Sequence, residues 1–135
     1  MSSSSLDCAV IILSYNNLDI LPECIDRASV AAKKCMDALH NRVEIIVVDN
    51  ASTDGSVEYV RTHYPEVRLI ANATNGGCAI ASNQGMSTSN ASFFLHLNSD
   101  TFINPDTLLE SLRWMQTHPT SGVLAARVTY ADGSF

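Results

Sequence analysis

The chain of 135 residues has few basic side chains and no cluster of them. It carries eight Lys and Arg against fourteen Asp and Glu, which gives a net charge of -6. Nucleic acids and anionic membrane surfaces are bound mainly through Lys and Arg side chains that neutralise phosphate groups. The composition therefore argues against a nucleic acid or an anionic bilayer as the partner of this protein.

Long apolar runs are also missing. No stretch approaches the roughly 18 apolar residues that cross a bilayer, although 46% of the residues are hydrophobic, which is enough for the core of one domain. The serine-rich residues 1–5 lack the charged segment of a signal peptide, so we expect a disordered lead there. We predict a cytoplasmic protein and leave association with the inner face of the membrane open.

The four cysteines lack the C-x-x-C spacing that is typical of zinc and redox sites. Each of them falls in or beside an apolar segment: Cys8, Cys24, Cys35 and Cys78. Small apolar thiols in such segments are usually buried and unpaired. We therefore expect buried free thiols, which favours a reducing compartment, and we assign no disulfide or zinc site.

Apolar runs alternate with helical patterns along the chain. Strands are predicted at residues 6–13, 43–48, 67–71, 93–97 and 122–130, and helices at about 18–39, 52–63, 78–86 and 104–118. Strands that alternate with helices build βαβ units and a parallel sheet. We predict one α/β domain over residues 6–135, with a mostly parallel sheet flanked by helices and a turn at residues 131–134.

Polar residues follow three of the predicted strands. They are residues 14–17 (SYNN), 49–50 (DN) and 98–100 (NSD), and a glycine loop at 75–77 (NGG) accompanies them. The carboxyl ends of parallel strands meet at one edge of the sheet, where open α/β folds bind ligands. We expect these segments to gather at that edge.

Asp100 follows the predicted fourth strand, FFLHL, after the polar residues Asn98 and Ser99, and we call residues 98–101 the elbow. A carboxylate at the edge of a sheet can coordinate a divalent cation, and the cation can in turn bind a phosphorylated ligand. An ordinary turn before a helix explains the same residues, because Asn, Ser and Asp all favour turns and caps. On these residues alone both interpretations stay open.

Four segments in order carry a resemblance to a known family. They are residues 12–17 (ILSYNN), 47–56 (VVDNASTDGS), 75–77 (NGG) with 81–85 (ASNQG), and 97–101 (LNSDT). Together they resemble the nucleotide-binding half of the family-2 inverting glycosyltransferases, and residues 105, 108 and 131–133 are most similar to the rhamnosyltransferase-like branch. The resemblance implies a Rossmann-like GT-A fold that is truncated after its fifth strand, with the acceptor part absent.

The resemblance also implies roles for individual residues. It places Asp100 as a ligand of Mg²⁺ or Mn²⁺. It places nine residues at the nucleotide: Ser14, Tyr15, Asn16, Asp49, Asn50, Asn75, Gly76, Asn83 and Asn98. Asp49 would accept a hydrogen bond from the imide N–H of uracil or thymine, and a turn cap is its alternative role. The alternative interpretation of Asn83 is a solvent-exposed position on a helix. The alternative interpretation of Gly85 is the end of that helix.

At Asn98 the sequence departs from the D-x-D pattern of the family. Asparagine brings no charge, so cation affinity would depend more on Asp100, the diphosphate and water. None of the matching loops contains Lys or Arg, and a divalent cation is the implied means of neutralising a leaving diphosphate. His96 alternates with leucines in the strand, so we expect it to be buried or to face the sheet rather than to bind a ligand.

The implied activity is transfer of a sugar, with inversion, from dTDP-rhamnose or a UDP-sugar to a glycan or lipid-linked acceptor, in polysaccharide or cell-surface glycan synthesis. The general base is expected beyond Phe135, so this part alone should be inactive.

Two alternatives remain, together with one expectation about assembly. One alternative is a non-catalytic nucleotide-sugar-binding module. The other is a different doubly wound enzyme, against which the lack of a glycine-rich loop after the first strand argues. A sheet edge exposed by truncation would favour a homodimer.

Overall fold

The computed structural model describes residues 6–135, and the disordered lead predicted for residues 1–5 lies outside them. Strands and helices alternate in the order β1 (Leu6–Ser14), α1 (Leu21–Leu39), β2 (Arg42–Asp49), α2 (Ser56–His63), β3 (Arg68–Ala71), α3 (Cys78–Ser87), β4 (Phe93–Asn98) and α4 (Thr107–Thr117). The four strands pair in parallel in the order β3-β2-β1-β4. The predicted α/β fold with a parallel sheet between helices is confirmed.

β1 is one of the two inner strands, and from Cys8 to Leu13 its side chains are apolar on both faces. Its residues from position 8 to position 12 are at most 1% exposed. Val10 and Ile12 belong to the cluster that includes α1 and α4, whereas Ala9 and Ile11 belong to the cluster on the α3 side. A strand that is buried on both faces needs this continuous apolar run.

The helices cover the two faces of the sheet unequally. α1, α2 and α4 contribute to the larger cluster, for example through Ile25, Val60 and Leu108. α3 contributes Ala81 to the smaller cluster and packs over β1 and β2. None of the helices within residues 6–135 is long and apolar enough to cross a membrane.

β4 is an edge strand, although its apolar sequence predicts burial on both faces. It pairs with β1 alone, from Cys8 opposite Phe93 to Leu13 opposite Asn98. Only Leu97 is buried among its residues, and His96 is exposed rather than buried. The cause is position, because β4 has a neighbouring strand on one side only and α3 makes its main contacts with β1 and β2.

The predicted fifth strand at residues 122–130 does not form within the part of the chain that the structure describes. Val123 and Val128 are 86% and 73% exposed. A strand satisfies its backbone groups through a neighbouring strand, and none of β1 to β4 pairs with this segment. The predicted turn after it is present: the amide of Gly133, at a φ of +83°, donates to the carbonyl of Tyr130 at 2.9 Å.

The four cysteines are free thiols, as predicted. Cys8, Cys24 and Cys35 are buried, but Cys78 is exposed, so the prediction of burial is wrong there. Cys78 is the first residue of α3 and lies at the edge of the sheet, outside the core.

Gly85 lies within α3 and packs against β1, rather than ending the helix. The helix continues to Ser87. A Cβ atom placed on Gly85 would lie 2.7 Å from Cγ2 of Ile11, a side chain that is fully buried. The absence of a side chain at position 85 therefore sets how closely α3 approaches the sheet.

We expect Gly85→Ala to lower the free energy of unfolding by about 1 kcal/mol. Overpacking a core costs about 1–3 kcal/mol, and the better helix propensity of alanine returns about 1 kcal/mol of it. Urea denaturation of the two proteins measures the difference. Gly122→Ala is the matched control, because nothing lies within 4 Å of its added Cβ. A Gly85→Ala chain that is more stable than the parent chain would contradict close packing of α3 at Gly85, because helix propensity would then act alone.

Candidate functional site

The loops that follow β1, β2 and β4 meet the start of α3 in an open cleft of about 280 Å³ at the carboxyl edge of the sheet. Strand register brings them together, because Ser14 is opposite Asp49 and Leu13 is opposite Asn98. The cleft is lined by Leu13, Ser14, Tyr15, Asn17, Asn50, Asn75, Gly77, Cys78, Asn98, Ser99 and Asp100.

Six of the ten residues predicted for the site line this cleft: Ser14, Tyr15, Asn50, Asn75, Asn98 and Asp100. Asn16, Asp49, Gly76 and Asn83 do not. Asn83 is exposed on α3, on the opposite side from the residues Ala81 and Gly85 that face the sheet. The roles of all ten residues toward a ligand stay predictions.

Asp49 caps a turn in this structure. Its Oδ1 accepts a hydrogen bond from the Ser52 amide at 2.8 Å, and its Oδ2 accepts one from the Ser52 hydroxyl at 2.6 Å. The residue is 1% exposed. Ala51, between them, has a φ of +70°, which costs a residue with a Cβ about 1 kcal/mol. The turn is therefore held in a strained conformation that returns Ser52 to the carboxylate.

Ser52 also connects Asp49 to the loop after β1. Its Oγ accepts a hydrogen bond from the Asn16 amide at 2.8 Å, and the Oδ1 of Asn16 accepts one from the Thr53 amide at 2.8 Å. Asn16 therefore holds the two loops together, and the cleft is lined instead by its neighbours Tyr15 and Asn17.

Asp54 fastens the same two loops at a second point. Its Oδ2 accepts from the Leu18 amide at 2.8 Å, and its Oδ1 accepts from the amide and hydroxyl of Ser56 at 3.0 and 2.5 Å. Burial acts to raise the pKa of Asp54, but these hydrogen bonds outweigh it and hold that pKa below its usual range. Asp54 is thus a structural link, ionised at neutral pH.

A network of side-chain amides anchors the start of α3. Nδ2 of Asn50 donates to the Gly77 carbonyl at 3.3 Å, and its Oδ1 accepts from Nδ2 of Asn72 at 3.1 Å. Asn72 and Gln84 exchange two hydrogen bonds, at 2.7 and 3.0 Å. Sequence reasoning missed Asn72 and Gln84 as partners, because nothing in their spacing along the chain marks them as a pair.

The elbow that carries Asp100 rests on a buried thiol. The Thr101 amide donates to the Asn98 carbonyl at 2.9 Å, and Sγ of Cys24 lies 3.4 Å from the Thr101 carbonyl and 3.7 Å from that of Asn98. Burial, and then the charge of Asp100, raise the pKa of Cys24 to about 12. The thiol therefore stays protonated and donates a hydrogen bond to the backbone carbonyls of the elbow.

The Asp100 carboxylate is exposed and makes no hydrogen bond or ion pair with any residue from 6 to 135. The described residues contain no group of three or more His, Cys, Asp or Glu side chains that could hold a metal. Mg²⁺ is commonly bound by one or two carboxylates together with substrate phosphates and water. Asp100 fits a cation of that kind, provided that a bound diphosphate supplies further oxygen ligands.

Solved structures share this fold. The mannosyltransferase PcManGT from Pyrobaculum calidifontis, solved with GDP-Man and Mn²⁺, superposes with a TM-score of 0.72 at 22% identity, over 94% of this chain and 36% of that one. Residues 1–349 of TarS from Staphylococcus aureus, solved with UDP, give a TM-score of 0.70 at 19% identity, over 93% of this chain and 40% of that one. The fold is that of the GT-A glycosyltransferases.

The sequence assigns the family. Residues 9–135 match the model of glycosyl transferase family 2, and the chain belongs to that family. It is 30% identical over 118 residues to the uncharacterized glycosyltransferase YibD of Escherichia coli, covering 85% of this chain and 32% of YibD. It is 29% identical over 110 residues to a poly(ribitol-phosphate) beta-glucosyltransferase of Bacillus spizizenii, covering 78% of this chain and 16% of that protein. The chain thus spans less than half the length of each.

We expect Ser14→Ala to leave the free energy of unfolding unchanged or to raise it by about 1 kcal/mol. The Ser14 hydroxyl is buried without a partner among the described residues, and such a group destabilises a fold. Ser56→Ala is the matched buried control, and it should cost about 1–2 kcal/mol because its hydroxyl donates to Asp54. Urea denaturation compares them, and an equal loss in both would show that Ser14 has a structural partner.

Proposed function

We propose that this chain is the sugar-donor-binding part of an inverting glycosyltransferase that acts in polysaccharide or cell-surface glycan synthesis. The observation that carries the proposal is the cleft, which combines an aromatic ring, several amide side chains and one carboxylate without a partner. A nucleotide-diphospho-sugar offers a group for each of these. Membership of glycosyl transferase family 2 supports the proposal.

The nucleoside would occupy the side of the cleft nearest Tyr15. Tyr15 is 51% exposed, and its ring offers an apolar surface to a base. The amides of Asn17 and Asn75 offer hydrogen bonds to the base edge or the ribose hydroxyls. Asp49 would select uracil or thymine through the imide N–H. Because Asp49 is 1% exposed and both of its oxygens accept hydrogen bonds from Ser52, this requires the turn at Ser52 to open.

The diphosphate would lie toward Asp100. No Lys or Arg lines the cleft, so the charge of a leaving diphosphate needs a divalent cation, Mg²⁺ or Mn²⁺, held by Asp100 and the phosphate oxygens. Such a cation, when bound, supplies positive charge to the departing group. Asn98, beside it, is left to hydrogen-bond the ribose or a water. The Mn²⁺ in the PcManGT structure supports a cation in this fold.

The acceptor side of the reaction is not assigned to any residue of this chain. Inversion by a single displacement needs a carboxylate that deprotonates the acceptor hydroxyl. We propose that this base lies outside the 135 residues, because the matched relatives are much longer. The chain on its own should then bind the nucleotide without transferring the sugar.

Two sugar donors fit the proposal, dTDP-rhamnose and a UDP-sugar. The resemblance of residues 105, 108 and 131–133 to the rhamnosyltransferase-like branch supports the first. The UDP bound to TarS, a protein of the same fold, supports the second. Direct comparison of the two nucleotides ranks them.

Calorimetric titration of the chain with UDP and with dTDP, in Mn²⁺ and in chelator, tests the site. We expect tighter binding in Mn²⁺, and we expect Asp100→Asn to abolish that gain because it removes the one charge of the cleft. Asp37→Asn is the control, since Asp37 is an exposed aspartate on α1 that pairs only with Lys33. It should bind as the parent chain does.

The result that would overturn the proposal is a chain, folded by circular dichroism, that binds neither UDP nor dTDP in Mn²⁺. Stabilisation by flavin or adenine nucleotides instead would favour a different doubly wound enzyme. Loss of binding in Asp37→Asn as well as in Asp100→Asn would indicate a general charge effect rather than a ligand at position 100.

We expect Asn98→Asp to raise the affinity for Mn²⁺ in the presence of UDP several-fold. Residue 98 lines the cleft beside Asp100, and a second carboxylate adds charge and an oxygen ligand for a hard cation. Titration of Mn²⁺ into the UDP complex measures the change. An unchanged or lower affinity would place residue 98 away from the cation.

A further inference from the structure

A short turn joins β1 to α1 at the cleft. Tyr15 and Asn17 line the cleft, whereas Asn16 between them does not. The Tyr15 amide donates a hydrogen bond to Oδ1 of Asn17 at 3.0 Å. The carbonyl of Asn17 accepts one at 2.9 Å from the amide of Leu21, the first residue of α1. The turn is therefore bonded to the helix as a unit, and a shift of Asn16 would move Tyr15 as well.

Asn16 bonds this turn to the loop after β2 through two of its atoms. Its amide donates to Oγ of Ser52, and its Oδ1 accepts from the amide of Thr53, each at 2.8 Å. Its φ of +50° lies in the left-handed region, which asparagine adopts more readily than most residues. The side-chain bond joins residues that are 37 positions apart in the sequence. It therefore fixes where the turn lies relative to the neighbouring loop.

The elbow, residues 98–101, is held by other contacts. The amide of Ser99 donates to the Leu13 carbonyl at 3.1 Å, and the Cys24 thiol lies 3.4 Å from an elbow carbonyl. Neither contact involves Asn16. Loss of the side-chain bond of Asn16 should therefore loosen one side of the cleft and leave the side that carries the carboxylate unchanged.

We propose that Asn16 is a positioning residue, which holds the Tyr15 ring in place for the base of the nucleotide and does not itself touch the nucleotide. The inference rests on the proposed function, in which the nucleoside lies beside Tyr15. When the bond to Thr53 is lost, only a fraction of the chains keeps the binding conformation, and the affinity falls by that fraction. A hydrogen bond of ordinary strength changes such a fraction several-fold.

Asn16→Gly removes the acceptor for the Thr53 amide and keeps the rest of the link. Glycine adopts the left-handed conformation freely, and its amide can still donate to Ser52. Calorimetry in Mn²⁺ and in chelator, with whichever of UDP and dTDP binds the parent chain more tightly, measures the effect. We expect the variant to bind several-fold more weakly under both conditions, with the gain from Mn²⁺ unchanged.

Two results of this titration would overturn the proposal. One is an affinity equal to that of the parent chain. The other is loss of the gain from Mn²⁺ together with the affinity, since this would indicate a general disturbance of the cleft. A folded parent chain that binds neither UDP nor dTDP in Mn²⁺ would overturn the proposed function itself, and the role of Asn16 with it.

Asn90→Gly is the matched control. Asn90 is exposed in the loop between α3 and β4, and its side chain makes no hydrogen bond with the described residues. This variant should bind the nucleotide as the parent chain does. A fall equal to that of Asn16→Gly would assign the effect to the added glycine and contradict a role for the side chain of Asn16.

A double-mutant cycle with Tyr15→Ala shows through which group Asn16 acts. If Asn16 only positions the Tyr15 ring, Asn16→Gly should weaken binding little further in a chain that already lacks the ring. Losses that multiply in the double variant would show that Asn16 acts on the nucleotide independently of Tyr15, and the positioning role would then be wrong.

Discussion

Burial of β1 on both faces is the constraint from which the rest of the structure follows. Its apolar run extends from Cys8 to Leu13, and Ser14 is the first polar residue after it. Parallel pairing on both sides then brings the ends of β2 and β4 to the same level. The polar residues of three loops are therefore adjacent because of the pairing of the strands, since each loop begins where one of three paired parallel strands ends.

Hydrogen bonds between the loops give this edge its shape. Ser52 and Asp54 join the loop after β2 to the loop after β1, and Asn50 joins it to α3. Each link joins groups of the chain itself, and most of the residues that make these links do not line the cleft.

Periodic segments were predictable from the sequence, and positions within loops were not. The apolar residues of α1 recur at helical spacing, and β1 is a continuous apolar run. The presence of this helix and of this strand therefore followed from the sequence pattern. The sequence of β4 has the apolar run of an inner strand, but β4 lies at the edge of the sheet. Its burial depends on which strands pair with it, and its own sequence does not specify that. The prediction of a strand at residues 122–130 was wrong for the same reason, since a strand needs a partner strand and the local sequence does not specify one.

Within the loops the uncertainty was one residue. Asn17 rather than Asn16, and Gly77 rather than Gly76, line the cleft, and a loop has no repeat that could tell such neighbours apart.

The near absence of charged residues in the cleft determines how salt concentration should affect binding there. The single charged residue of the lining, Asp100, repels phosphate, and salt screens that repulsion. Without divalent cations, added salt should therefore favour nucleotide binding, the reverse of its effect on sites built from lysine and arginine.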